Sequence, residues 1–413
     1  MTPDTPAVTA PTAATAHNVA LDMMRAVTMV LMITVNHFWT AADVPHWMHH
    51  AAASEDMLGL SDTVFPLFLF VMGMSIPYAI DARYRRGHSE RAIMMHIVER
   101  SVALLAMGAF ICHSEYGIDA ALSGYGHVAY TLLMVTAFFL VWHHPAGFSA
   151  RWHKCCQAAG VIILTGLALT ARNPEGGVMQ AHWWGILGLI GWTYLVCSLV
   201  YFCFRGRTVL LTAIGIGFLA LCVGLSPVGP VDEWHTLLNL PRPNLLDETL
   251  SLLHVGNCGL VSLGMGGVLL SVFTRHWTGH ITLRRILVLL AASVALLLLG
   301  AASHSLFIVS KIHATPTWVL YVASIALALY ALLSFLVQRG LTSWFRFIAP
   351  AGTATLTCYM IPYVLYALYS ALHLTLPEWL AAWPMGALQC VAFAFLCVGL
   401  TYLLCRLGVR LKI

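Results

Sequence analysis

Apolar runs of about 20 residues, the length a helix needs to cross a bilayer, recur along the whole chain. They are centred near residues 29, 71, 104, 134, 164, 193, 216, 263, 297, 327, 358 and 395, with those at 134, 164 and 216 the shortest. The pattern predicts an all-α polytopic membrane protein with twelve (ten to twelve) spanning helices. Residues Met1 to His17 are rich in Thr, Ala and Pro and lack apolar periodicity, so a disordered tail is expected there, followed by a single transmembrane domain over 18–413. The first apolar run is not expected to be a cleaved signal peptide. It contains Asp22 and Arg25, no basic region precedes it, and it passes without a cleavage site into a His-rich loop. Pro362 inside the eleventh run predicts a kink.

Composition agrees with the pattern. Hydrophobic residues make up 60% of the 413 and charged residues only 9%, against about 25% charged in a soluble domain. The bilayer is the expected environment, and a net charge of +4 does not point to nucleic acid. The eleven cysteines are scattered and form no CxxC pair. They read as small buried hydrophobes, with Cys155 and Cys156 adjacent in a basic connection.

The basic residues fix an expected orientation. With the amino terminus in the cytoplasm, only Arg172, Arg242 and Lys311 of the 21 lysines and arginines fall in connections on the opposite side, and Arg25 sits at the inner end of the first helix. The asymmetry predicts both termini in the cytoplasm.

That orientation sends one polar cluster outward. The first two runs flank a loop that carries Asn36, His37, Asp43, His46, His49, His50, Glu55, Asp56 and Asp62. Ionisable groups beside hydrocarbon cost several kcal/mol unless paired or hydrated, so the loop is the candidate site. Asp62 opens the second helix, where a carboxylate can cap free amides or orient a neighbouring histidine. Asp22 and Arg25 are spaced to pair on one helix face. His254 and Asn257 are expected inside the eighth helix, and Lys311 with His313 near the outer end of the ninth. They line a cavity or pair between helices. Trp183, Trp184 and Trp192 read as interface anchors or packing residues. An HxxHH string on an irregular loop lacks a tight zinc-ligand signature, and no metal is expected. Strings for nucleotide hydrolysis, zinc proteolysis and serine esterase chemistry are absent in any convincing context.

Several strings resemble a known family. LDMMRA to VNHF, WMHHAAASEDMLGLSDTVFPLFLFVMGMSIP, HWWGILGLIGWTYL, HVGNCGLVSLGMGGVLLS, KIHATPTWVLY and PAGTATLTCYMIPY are similar, in order, to the heparan-α-glucosaminide N-acetyltransferase family and its bacterial relatives. The resemblance implies transfer of acetyl from cytoplasmic acetyl-CoA, as co-substrate, to a sugar amine across a bacterial inner membrane. It implies Asn36 and His50 as functional residues, with His49 one residue away as the alternative, and Asp62 as the aspartate of the DxVFP string. Arg25 and Asp22, with His254 and Asn257, are expected to bind the co-substrate, and His49 and Lys311 the acceptor. Two positions depart from the family: Ala26 stands where glycine is usual, and Ala354 where an asparagine is frequent, which removes that amide.

Acetyl transfer to an amine needs a base and an oxyanion donor. A histidine titrates near pH 6.5 when unperturbed, at about the right place for a base, and can also act as a nucleophile. Direct transfer and an acetyl-imidazole intermediate both remain open. The competing readings are O-acetylation of a surface glycan and, from another class, a proton-coupled sugar transporter, although no repeat relates the two halves. GxxxG-like spacing from Gly259 to Gly267 packs helices within one protomer or between two in a homodimer.

Overall fold

The structure is a computed structural model that describes residues 18–143, 149–229, 234–238, 245–277 and 282–413. The expected tail before Asn18 and Arg242 lie outside the described residues. Among the described residues sixteen α-helices run in the order α1 Val19–Asn36, α2 Leu60–Arg85, α3 Glu90–Glu115, α4 Ala120–Ser123, α5 His127–Trp142, α6 Ala150–Thr170, α7 Gly185–Phe204, α8 Thr208–Leu225, α9 Leu245–Leu252, α10 Gly259–Thr274, α11 Leu283–Ser303, α12 Pro316–Gln338, α13 Phe345–Thr353, α14 Thr355–Ala371, α15 Glu378–Ala381 and α16 Met385–Arg406. The strands described are a two-residue pair, Pro227–Val228 against His235–Thr236.

Helix occupies each predicted apolar run, but not every run gives a full-length span. Among the described residues, nine helices are long and apolar enough to cross a membrane, or ten when the bent pair α13 and α14 is taken as one. Two shorter apolar helices, α5 and α10, have 16 residues each. The sharp break in the eleventh run falls at Ala354, where α13 and α14 meet at 90°, and not at Pro362, which lies inside α14. Gly352, on the last turn of α13, is pressed against α1, so that an added Cβ would stand 3.0 Å from the Asp22 oxygen and 3.1 Å from the Ala26 Cβ.

Helices α1 and α2 form the centre of the bundle. α1 packs on α2, α12, α13, α14 and α16, and α2 also takes α10, α7 and α3. The closest crossing is α2 with α10, where a Cβ on Gly73 would fall 2.0 Å from the Gly264 oxygen and one on Gly267 2.0 Å from the Phe70 oxygen. The small residues of α10 therefore serve a contact within the chain, and Ser271 Oγ donates to the Met74 oxygen (2.6 Å) across it.

By contrast α6, α8, α11 and α16 leave most of their apolar surface exposed. In water such a surface would drive association; in a bilayer it is the lipid face. All eleven cysteines are free and seven are buried; Cys155 and Cys156 lie on α6 and not in a connection.

Candidate functional site

The sequence Gly59-Leu60-Ser61-Asp62 starts α2 at Leu60, with Gly59 as N-cap, which makes Asp62 the third helical residue. Its carboxylate does not cap the helix; it turns back onto the preceding loop. Oδ2 accepts the Ala51 N–H (2.8 Å), while Oδ1 lies 2.7 Å from His50 Nδ1 and 2.9 Å from Lys311 Nζ. Lys311 Nζ is also 2.7 Å from His50 Nδ1. Side-chain exposure grades outward: 1% for Asp62, 23% for Lys311 and 51% for His50. The carboxylate is a buried floor and the imidazole a wet rim. A buried carboxylate is strongly unfavourable without partners, and here an amide, an ammonium and an imidazole supply them.

Loop architecture brings these groups together. At Gly59 a Cβ would lie 2.0 Å from the His49 oxygen, so only glycine lets the loop reach α2 this closely. Ser61 Oγ donates to the Met48 oxygen (2.5 Å). Asp56 ties the same loop to the segment before α12, accepting the Val309 N–H (2.7 Å) and lying 2.8 Å from His304 Nε2. Lys311 arrives on a turn pinned by Asn257, whose Nδ2 lies 2.8 Å from the His313 oxygen, 3.1 Å from the Ala314 oxygen and 2.8 Å from Ser226 Oγ.

Other expected residues are placed elsewhere. The His49 side chain is exposed and makes no hydrogen bond among the described residues. Asn36 ends α1 half-buried, and its amide makes no hydrogen bond to His50 or any other described residue. His37 Nδ1 lies 3.0 Å from the Tyr366 hydroxyl, and its ring stacks on Phe393 at 3.8 Å. His46 pairs with Glu55 at 3.3 Å. The loop histidines are thus divided among separate partners, and among the described residues no group of three or more His, Cys, Asp or Glu is arranged to hold a metal ion. His254 and Asn257 sit in the turn that precedes α10, not inside a helix. His254 packs against Trp184 (5.4 Å) and Trp192 (5.3 Å), and Asn257 is engaged with protein atoms. The turn leaves helical geometry at His254 (φ +46°) and Cys258 (φ +70°), and neither His254 nor Asn257 is among the residues that line the cavity beside α1 and α2.

That cavity, of about 630 Å³, runs beside α1 and α2. Asn18, Leu21, Asp22, Arg25, Met29 and Met32 form its α1 wall, one helical face at spacings of three and four. Asn36 is the next position on that face. The walls are mainly apolar, with uncharged polar groups such as Asn18, Ser75, Tyr78, Thr353 and Thr355, and carry a cationic set, Arg25, Arg85, Arg100 and Lys412, with Asp22 as the side-chain carboxylate among the lining residues. Arg25 pairs with Asp22 (3.0 Å), as the spacing predicts, and donates to Ser75 Oγ (2.8 Å). Arg100 lies over the Tyr194 ring at 5.0 Å, and its buried Nε has no hydrogen-bond partner among the described residues. Arg85 and Asp62 mark opposite ends of α2, about 35 Å apart at 1.5 Å per residue. Arg85, Arg100 and Lys412 were not singled out by sequence motif; their one signal was the basic character of the connections at that end.

Long apolar helices with a lipid-like outer face, around a cavity with a charged end, define a polytopic membrane protein. The family described as the domain of unknown function DUF5009 matches residues 17–174. Heparan-alpha-glucosaminide N-acetyltransferase of Mus musculus is 32% identical over 96 residues, which is 23% of this chain and 14% of the relative. The same-named protein of Homo sapiens is 31% identical over 97 residues, 24% of this chain and 14% of the relative. The matched stretch spans about a seventh of those curated relatives, and the relationship to them is distant.

Proposed function

We propose that this chain is a transmembrane N-acetyltransferase. It moves acetyl from cytoplasmic acetyl-CoA to the amine of glucosamine, or of a glucosamine-ended saccharide, on the periplasmic side of a bacterial inner membrane. The observation that carries the reading is a histidine held on a buried carboxylate, His50 on Asp62 at 2.7 Å, at the end of α2 opposite a cation-lined cavity. The relatives' activity supports the same assignment. The twelve apolar helical segments, counting α5, α10 and the bent pair, are read as twelve crossings, with both termini in the cytoplasm.

The acetyl-CoA phosphates meet Arg25, Arg85, Arg100 and Lys412, while the apolar wall formed by Met29 and Met32 accepts the arm that carries the thioester. Asp62 holds His50 by Nδ1, which directs Nε2 toward the acceptor. In the transfer step the amine gives a proton to Nε2, its nitrogen bonds to the acetyl carbon, and the carbon–sulfur bond breaks. The thiolate leaves with the proton from His50. The Asn36 amide, one turn beyond Met32, donates to the carbonyl oxygen as negative charge grows there. His49 and Lys311 border the acceptor. His254 and Asn257 support the neighbouring turns.

The test is purified protein in detergent with labelled acetyl-CoA, with and without glucosamine, following sugar and protein by mass. Acetylated glucosamine establishes the reading. Acetylated protein formed without acceptor, with the acetyl group located on a histidine by peptide mass, supports a covalent step through that histidine. A product that is cleaved by mild alkali identifies an ester and moves the assignment to O-acetylation. Sugar accumulation in vesicles without modification replaces it with transport.

A further inference from the structure

Lys311 Nζ, His50 Nδ1 and Asp62 Oδ1 form a triangle with sides of 2.7, 2.7 and 2.9 Å. With Lys311 as an ammonium and His50 neutral, two of the three contacts can be hydrogen bonds and the third cannot. If Nδ1 carries the proton it donates to Asp62 and faces the ammonium. If Nδ1 is bare it accepts from Lys311, and its lone pair faces the carboxylate. The triangle therefore does more than orient a ring.

A buried carboxylate alone beside an imidazole favours the imidazolium, because opposite charges stabilise the protonated form. Such a histidine would hold its proton and be a poor base. We propose that Lys311 is a positioning residue that cancels the charge of Asp62 and so leaves His50 free to accept a proton from the acceptor amine. This rests on the reading of His50 as the base.

The surroundings single out Lys311 for the role. The groups that face the His50 ring are Asp62 from α2 and Lys311 from the turn before α12. On the same loop His49 points to solvent, Glu55 is paired with His46 (3.3 Å), and Asp56 is turned to His304 (2.8 Å). Nor is Lys311 a loosely held surface lysine. Thr315, fully buried, donates to the Ile308 oxygen (2.7 Å) and accepts the Ser310 N–H (3.1 Å). Together with Asn257, it fixes the turn from both sides.

The experiment measures kcat/KM for glucosamine against pH on the full chain in detergent, for the wild type, Lys311→Met and Lys311→Arg. Lys311→Met is expected to move the acid limb upward by on the order of one pH unit, a roughly tenfold loss on that limb that is regained at higher pH. Lys311→Arg keeps the wild-type limb. A merely structural role would lower activity at every pH without moving the limb. The rate at which diethyl pyrocarbonate modifies His50, read by peptide mass against pH, gives the same comparison without turnover and serves if Lys311→Met is inactive. A Lys311→Met modification profile that coincides with the wild type overturns the proposal. His50→Ala separates the two ideas: full activity there removes the base reading and this inference with it. An inactive His50→Ala beside an unmoved Lys311→Met profile removes the inference alone.

Discussion

The indole Nε1 of Trp318 donates to the main-chain oxygen of Asp62 at 3.2 Å, and both side chains are fully buried. In an uninterrupted helix that oxygen would accept from the residue four positions on, which here is Pro66, with no N–H to give. Trp318 thus satisfies a carbonyl that the α2 sequence leaves open, and joins the first turn of α12 to the first turn of α2. Lys311 and His50 meet beside this joint. Trp318→Phe, which keeps most of the ring but strands the carbonyl, is expected to cost about 1–3 kcal/mol of stability. Thermal unfolding in detergent checks it, and the loss should shrink in a Pro66→Ala background, where an N–H becomes available.

His50 and His49 are adjacent, but only His50 is held. His50→Ala is expected to abolish transfer, and Asp62→Asn to reduce kcat by about two orders of magnitude, the usual scale for a general base. His49→Ala should stay within a few-fold of wild type in kcat. Steady-state assays with acetyl-CoA and glucosamine decide this, and a silent His49 variant beside an active His50 variant would exchange the two assignments.

Arg100 places a buried, unpartnered Nε beside the cavity. A guanidinium with no carboxylate partner among the described residues is available to a phosphate. Arg100→Ala should raise the KM for acetyl-CoA by about tenfold, the equivalent of roughly 1.4 kcal/mol, while the KM for the amine stays put. Equal rises in both constants would assign Arg100 to packing on Tyr194 instead.

At Gly59 the His49 carbonyl occupies the space a methyl group would need. Gly59→Ala must push the loop off α2, with a stability loss of about 1–3 kcal/mol, as for other overpacked sites. Because the loop carries His50, activity should fall by more than the unfolded fraction explains. Circular dichroism and the transfer assay on one sample measure both.

How far these relationships could be read from the chain depends on sequence distance. Apolar runs give the helices because membrane crossing demands length and little else, and Asp22 with Arg25 is legible because helix geometry joins residues three apart. His50 with Asp62 is legible through one loop. The third member is not, since Lys311 reaches them from the turn before α12, at a distance in sequence that no local pattern spans. Asp62 as a cap fails for a local reason: Gly59 starts the helix earlier than the carboxylate alone would suggest. Asn257 shows the same limit from another side. A polar residue in an apolar stretch has an unknown partner until the fold supplies one, and here the partners are carbonyls of the Lys311 turn.

The right-angle break at Ala354 bears on how voltage acts on this protein. Around it, Gly352 to Leu356 line the cavity, and in a bilayer backbone that departs from a continuous helix is tolerated where it meets water or protein and not lipid. Filled with water, the cavity beside α1 and α2 would be a shaft with the electrical character of bulk solution. It extends along α2 from Arg85 up to Phe68, leaving about 9 Å of helix below Asp62 at 1.5 Å per residue. Most of a transmembrane potential would then fall across that short plug and not across the full bilayer. The His50 cluster sits at its far edge, so a proton exchanged there with the shaft would cross nearly the whole field.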